Sequence, residues 1–413
     1  MTTAFEPGRT LPARKLELFF DYSCPYAYLA VNRVEAVAAR MGVPVTYKPF
    51  LLGGVFKARG TPQNLMNELS PQKAAHNLAD MQRFAKLVGV PLRVPEGHPR
   101  KTVDALRATL VCDRSPSVIR GFFHAYWAEG RDVGATETIT DVVRAAGFDP
   151  ADVLARLGSQ PVKDALRDAT DEAVARSVFG APTFFVDDTH LYWGQDRLAF
   201  VEGVRPVDDG TVHPPTGKTV EAYWDYSSPF AYLGMARIES VAARHGATVV
   251  DRPMLLGGLF KSIGQVNVPI ETFSAERRAH TMADMYRWAA YHDVPFRFPT
   301  RFPMNTVKAL RATLALPDGA RKAFRDAVFH AFWAEDRDIS DDAVLTDLID
   351  RTGADAAEIL AATSKPEIKA ALIAATDAAV ARQVFGAPTF VVGDELFWGQ
   401  DRLDAVGHAL SRS

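Results

Sequence analysis

The sequence predicts an α/β protein built from two tandem copies of one domain, each an α/β unit with an α-helical insertion. Three observations predict it. Long phrases recur: LLGGVFK at 51–57 returns as LLGGLFK at 255–261, ALRATL at 105–110 as ALRATL at 309–314, and VARSVFGAPTF at 174–184 as VARQVFGAPTF at 380–390. Their spacing drifts only between 204 and 206 residues, too long for a solenoid repeat and right for a duplicated domain. Each copy also opens with a strand, turn, helix and strand pattern, and each closes with two short strands and a helix.

Taken in order, residues 16–20 (LELFF) and 219–224 (TVEAYW) are apolar and β-prone, and each runs into Asp-Tyr-Ser and then a proline suited to the first position of a helix. The helix from Pro25 carries Tyr28, Leu29, Val31, Val34 and Val37 at helical spacing and ends near Gly42; VPVTY at 43–47 is the next strand. A mostly helical middle follows. Ser70-Pro71 and Ser274 are placed to start helices, and Leu78, Met81, Phe84, Ala85 and Val88 form one apolar stripe. TFFV (183–186) and HLYW (190–193) read as a strand pair before a last helix from about Gln195; the second copy repeats this at 389–392, 395–398 and from about Gln400. Between the copies GVRPVDDGTVHPPTGK (203–218) has the Gly, Pro and charge of a linker. The boundary is expected near Gly210, giving domains at 1–207 and 218–413 joined by 208–217.

Composition narrows the function. The 413 residues are 47% hydrophobic with a formal net charge of −3, ordinary for a soluble protein with full cores. No basic run or aromatic-interleaved stripe argues for nucleic acid. No stretch approaches the roughly 18 apolar residues of a membrane span, and the first residues lack a signal-peptide core. Only Cys24 and Cys112 could form a disulfide, so a reducing cytoplasm is expected.

The chemistry is suggested by DYSCPYAYLA (21–30), which returns as DYSSPFAYLG (225–234). A side chain in the turn that opens a helix sits where unpaired N–H groups and the helix dipole favour an anion. A cysteine there has its thiolate stabilised, and a serine can donate its hydroxyl to another thiolate. Both could instead be plain N-caps, a use for which Ser is good and Cys poor. Dithiol redox chemistry needs a second cysteine three residues on, and Ala27 and Ala231 stand there. The second domain has no cysteine, so any thiol must come to it from outside. FGAPTF then places Ala181-Pro182 and Ala387-Pro388 at strand starts, where a cis bond would free the alanine backbone for an extended ligand and a trans bond would not. WGQDRL sets Gln195, Asp196, Gln400 and Asp401 at helix starts, where N–H groups suit a carboxylate and Asp an ammonium, or where Asp serves only as a first-turn residue paired with its Arg.

Together D-Y-S-[CS]-P-[YF]-A-Y-L, L-L-G-G-x-F-K, F-G-A-P-T and W-G-Q-D-R-L resemble the kappa-class glutathione transferase and 2-hydroxychromene-2-carboxylate isomerase family, in the DsbA-like branch of the thioredoxin fold. The resemblance covers essentially the whole chain, twice. It implies that Ser228 hydrogen-bonds a glutathione thiolate, that Ala181-Pro182 and Ala387-Pro388 meet the cysteinyl backbone of glutathione, and that Gln195, Asp196, Gln400 and Asp401 hold its γ-glutamyl end. It further implies a glutathione-dependent cis-trans isomerase acting on an aromatic carboxylate, with Lys57 or Lys261 as the carboxylate's cation, and two domains that pair within the chain as a family homodimer does. A kappa-like transferase using the same site is the alternative, and a thiol-disulfide protein acting through Cys24 a further one. Two departures stand out. Thr61 and Gln265 follow the G-G-x-F-K lysine where the family has Asn, with Asn64 and Asn267 a few residues on, and Cys24 replaces Ser. RFPMNT (301–306), with Asn305, matches the family where the first domain has HPRKT (98–102), so the second domain is the better match.

Weaker constellations have plain readings. The i,i+4 pairs His76/Asp80 and His280/Asp284 read as helix-surface pairs and not a metal site. His124 and His330, among aromatics, read as helix-packing residues; Cys112 reads as a buried small hydrophobe, and Trp127, Trp193, Trp333 and Trp398 as core.

Overall fold

A computed structural model describes residues 15–63, 68–204 and 212–412. The first half runs β1 (Leu16–Phe20), α1 (Pro25–Met41), β2 (Val45–Pro49) and α2 (Leu52–Ala58). The helical insertion is α3 (Pro71–Val88), α4 (Val103–Val111), α5 (Pro116–Trp127), α6 (Thr136–Ala145) and α7 (Pro150–Leu157). Then α8 (Gln160–Ala175) leads into β3 (Thr183–Val186), β4 (His190–Trp193) and α9 (Leu198–Glu202). The second half repeats the order: β5 (Thr219–Trp224), α10 (Pro229–Ala243), β6 (Thr248–Pro253), α11 (Leu256–Ser262), α12 (Ala275–Tyr291), α13 (Val307–Ala315), α14 (Asp318–Trp333), α15 (Asp342–Asp350), α16 (Ala356–Ala362), α17 (Pro366–Ala381), β7 (Thr389–Val392), β8 (Glu395–Trp398) and α18 (Leu403–Ser411).

Each half has its own four-stranded sheet, ordered β2-β1-β3-β4 and β6-β5-β7-β8. The first pair in each is parallel and the rest antiparallel. Helices cover both faces of β1, so all five of its residues are buried, which is why it reads as an apolar run without alternation. α1 starts where proline removes an N–H that has no helical partner, and stops at Gly42, whose left-handed φ of 71° returns its N–H to Ala38 and Ala39. On α3 the stripe is shorter than expected, because Leu78 faces solvent while Met81 and Ala85 are buried. The expected boundary at Gly210 and the position of Asn64 lie outside the described residues. Of the expected linker, 212–217 has no regular structure yet is tied down: His213 and Thr216 donate backbone N–H to Ala243 and Gly246.

The halves meet reciprocally. α3 packs against β8, and α12 against β4. The Trp398 N–H donates to His76 Nε2 and the Trp193 N–H to His280 Nε2, both at 3.2 Å. Arg402 pairs with Asp80 at 3.1 Å and Arg197 with Asp284 at 2.9 Å. The helix-surface reading of the His/Asp pairs is therefore corrected. They are inward-facing partners for the other half, a role invisible when each helix is read alone. His124 and His330 are corrected in the opposite sense: about half exposed, they lie beside Glu129 and Glu335, while Trp127 and Trp333 take the core.

Burial, first of all, pushes His76 and His280 down from 6.5 to about 4, so both stay neutral and able to accept. Because the folded value is depressed, the stability these groups lend is whole above 6.5 and is lost as pH falls toward 4. Asp80, raised by burial, titrates with the opposite sign and offsets part of the loss. The denaturation midpoint read by tryptophan fluorescence is therefore expected to fall between about pH 7 and about pH 5. A midpoint flat across that window would show that these histidines do not carry the contact.

Candidate active site

The Asp-Tyr-Ser turn is built around a buried carboxylate. Asp225 accepts from the backbone N–H groups of Ser227 (2.9 Å) and Leu256 (2.7 Å) and from the Thr306 hydroxyl (2.8 Å). Asp21 does the same with Ser23, Leu52 and Thr102. One side chain thus joins the turn, the start of the Gly-Gly helix and the loop before α4 or α13. Burial raises the pKa of both carboxyls, against hydrogen bonds that lower it. These two residues were missed as site organisers, although an Asp three residues before a helix-opening Ser or Cys, accepting the N–H two residues on, is the signature of a side chain that folds its own turn. The Trp127 and Trp333 indoles donate to the carbonyls of Tyr22 and Tyr226 at 2.8 Å, and the Tyr22 and Tyr226 hydroxyls bond Thr109 and Thr313. The helical insertion is thereby pinned to the turn.

At the helix start the two halves differ. The Ser228 hydroxyl donates to the Ala387 carbonyl at 2.8 Å and accepts from the Ala231 N–H at 3.1 Å, capping α10. The Cys24 thiol donates to the Ala181 carbonyl at 3.0 Å and leaves α1 without a side-chain cap. Burial pushes the Cys24 thiol up to about 12, outweighing the helix-end N–H groups that act to lower it, so it stays protonated at neutral pH. Cys112 is fully buried, as expected.

Ala181-Pro182 and Ala387-Pro388 are both cis. They bring the alanine carbonyls against Cys24 and Ser228. The preceding glycines, Gly180 and Gly386, admit the indole of Trp193 and Trp398; a Cβ at either position would lie 2.5 Å from the indole nitrogen. The Gly194 and Gly399 N–H groups bond the carbonyls of Pro182 and Pro388 at 3.0 Å, locking the Trp-Gly-Gln-Asp segment to the cis-proline loop.

That segment holds the remaining candidates. Gln195 and Gln400 are buried, and Gln195 Nε2 and Gln400 Oε1 find no partner among the described residues. Arg33 holds the Gln195 side-chain oxygen at 2.6 Å. Asp196 and Asp401 reach across the contact between the halves: Asp196 to Arg402 at 2.8 Å and Asp401 to Arg197 at 2.9 Å. Burial acts to raise Asp196, but Arg197 and Arg402 outweigh it and hold the carboxyl below its ordinary value. Four carboxylates (Asp80, Asp196, Asp284, Asp401) therefore share Arg197 and Arg402, with Arg33 also facing Asp196, at the foot of both sites. Lys57 and Lys261 are exposed in the last turns of α2 and α11. Asn305 is exposed and accepts the Val307 N–H at 3.0 Å, at the start of α13. In the second half Asn267 Oδ1 lies against Gly257, where the first half sets Gln63 against Gly53.

A family model described as a DSBA-like thioredoxin domain matches residues 15–204 and again residues 219–411. Among related proteins, a 2-hydroxychromene-2-carboxylate isomerase from Sphingobium xenophagum is 32% identical over 187 residues, covering 45% of this chain and 95% of its own. Glutathione S-transferase kappa 1 from Rattus norvegicus is 28% identical over 201 residues, covering 45% of this chain and 88% of its own. A solved structure of a 2-hydroxychromene-2-carboxylate isomerase is similar at a TM-score of 0.42 and 27% identity, over 45% of this chain and 92% of that one. Each relative matches about one half of the chain, as a tandem duplication requires.

Proposed function

Because both halves of the chain belong to the DSBA-like thioredoxin domain family, we propose that it is a glutathione-dependent cis-trans isomerase acting on an aromatic carboxylate, with its principal site in the second half. The carrying observation is the Ser228 hydroxyl, buried at the start of α10 and aimed at the carbonyl before a cis-proline. It can turn from that carbonyl to a thiolate, and the N–H groups of the same helix end add to the stabilisation of the anion. The residues suit glutathione on their own evidence. The orphaned Gln400 amide oxygen asks for a donor, and the neighbouring Asp401 carboxylate suits an ammonium. Glutathione, when bound, supplies a thiolate that adds reversibly to a conjugated acceptor, leaving a single bond free to rotate before elimination restores the double bond. Around that chemistry Ser228 holds the sulfur, Ala387 and Pro388 align the peptide, Gln400 and Asp401 receive its γ-glutamyl end, and Lys261 or Asn305 meets the substrate. The first half would bind through Ala181, Pro182, Gln195 and Asp196, with Lys57 at its substrate side.

The two halves pair, on this reading, as subunits of a homodimer pair, each completing the charge cluster at the other's foot. The protein would work in a reducing cytoplasm, in the breakdown of aromatic compounds. A thiol-disulfide role through Cys24 is disfavoured by a thiol held protonated and by the absence of a second cysteine beside it in sequence. A transferase outcome uses the same site with a different acceptor.

Glutathione calorimetry with a parallel ultraviolet assay on a hydroxychromene carboxylate tests the proposal. Glutathione binding and turnover that requires, without consuming, glutathione are expected. Turnover without glutathione, or no binding of it, would remove the proposal, and net consumption of glutathione would favour the transferase.

A further inference from the structure

We propose that a cleft on the outer side of the second half's sheet is a separate ligand site for a small aromatic carboxylate. Its volume is about 770 Å³, within the range of roughly 300–1,000 Å³ typical of small-molecule sites. β5 and β6 contribute to one wall and α13 and α17 to the other; the lining contains none of the residues proposed to touch glutathione or substrate, and meets that site only through Thr313, the partner of the Tyr226 hydroxyl. Pro253, Leu314, Ala375 and Ala378 supply apolar surface. Arg252, Arg321 and Arg382 line it as half-exposed cations. Of the carboxylates in the lining, Glu221 is shared by Arg252 and Arg382, while Asp251 is taken by the buried Arg325 behind it. The other partners stand in water at the rim: Arg321 pairs with Asp318 and Arg382 lies 4.0 Å from Asp394, and the two arginines also donate to the carbonyls of Leu314, Leu316 and Gly393. A ligand carboxylate there competes with solvent-screened partners. A flat apolar body with one carboxylate fits such a surface, because the guanidinium fork pairs carboxylates in a plane.

The duplication supplies an internal control. In the first half the same position is plugged. Glu172 bonds Lys48 at 3.0 Å and Arg176 Nη1 at 3.2 Å, and Arg176 lies 3.9 Å over the Phe185 ring with the same Nη1 on the buried Glu17 at 2.7 Å. Ala378 stands where Glu172 stands, and Asp251, drawn away to Arg325, replaces Tyr47. Two side chains are thus smaller in this copy, while the aromatic wall is larger, Tyr223 and Trp224 standing where the first half has Phe19 and Phe20. Arg382, the counterpart of Arg176, is 42% exposed where Arg176 is 20%. Arg321 comes from the longer connection between ALRATL and HAFW that the first half lacks. Removal of the Glu172 plug, a broader aromatic wall and an added cation at one place are the pattern of a built pocket.

Titration of the full chain with 1-naphthoate in saturating glutathione tests this without reliance on the isomerase reading. Ala378→Glu, which restores the first half's carboxylate, is expected to weaken binding by about tenfold or more, and Arg321→Ala, on the water-facing rim, by several-fold. Glutathione affinity should not change in either. If Ala378→Glu melts early, Arg321→Ala and amide-exchange protection of α17 by naphthoate decide the matter. Naphthoate binding unaltered in Arg321→Ala, no binding by the wild type, or equal competition by inorganic phosphate would overturn the proposal.

Discussion

Ser228→Ala is expected to lower glutathione-dependent turnover by about 10²–10³-fold, the effect of removing one buried donor from a developing or held anion. The hydroxyl makes two bonds, and they separate the outcomes. Losing the acceptor for the Ala231 N–H removes an N-cap and should cost about 1 kcal/mol of stability. Losing the donor that now rests on Ala387 should act on the thiolate, raising the pKa of bound glutathione and shifting the rising limb of the rate profile to higher pH. Cys24→Ala, at a site where the thiol caps nothing, should leave most of the turnover intact. Steady-state rates against pH for both variants, with melting curves beside them, measure all three. A Ser228→Ala enzyme within a few-fold of wild type would locate the chemistry elsewhere.

Arg402→Met is the second large effect, expected to cost about 3–5 kcal/mol because it strips the cation from a buried ion cluster. Arg402 is 13% exposed and touches Asp80, Asp196 and Asp401 together. Without it three carboxylates crowd one another with Arg197, and Arg33 beside Asp196, left to balance them, and the contact between α3 and the loop before α18 has lost its centre. Denaturant unfolding should show the loss, with the transition splitting as the halves uncouple. Arg402→Met combined with Asp80→Leu should recover part of it, since the pair removed together leaves less unpaired charge. The exposed Arg144→Ala, a control on the far surface, should stay within about 0.5 kcal/mol. A single transition at the wild-type midpoint would show that the cluster does not hold the halves together.

What could be read from the chain was what is local. The duplication, β1 and β5, and α1 with its opening proline and closing Gly42 follow from side-chain patterns within a few residues. The Ser228 and Ala387 slots were legible because short phrases mark both, although their 2.8 Å meeting joins residues 159 apart. The remainder was hidden by distance or by context. His76 and Asp80 have the spacing of a surface pair, and only partners 322 positions away turn them inward. His124 and His330 mislead in the other direction, since aromatic neighbours on the same helix do not share its face. Asp196 and Asp401 look like ligand groups in sequence, and their cross-bonds to Arg402 and Arg197 depend on a neighbour that neither copy alone contains.

The covalent join between the two copies has a thermodynamic consequence. Two separate chains held by the same reciprocal contacts would fall apart on dilution, whereas here each half sees the other at an effective concentration in the millimolar range set by a short tether. Assembly is then independent of expression level. It also frees the copies from identity: a change at one helix start, such as Cys24 opposite Ser228, is not copied into the other, so one site can drift or specialise while its neighbour keeps the contact intact.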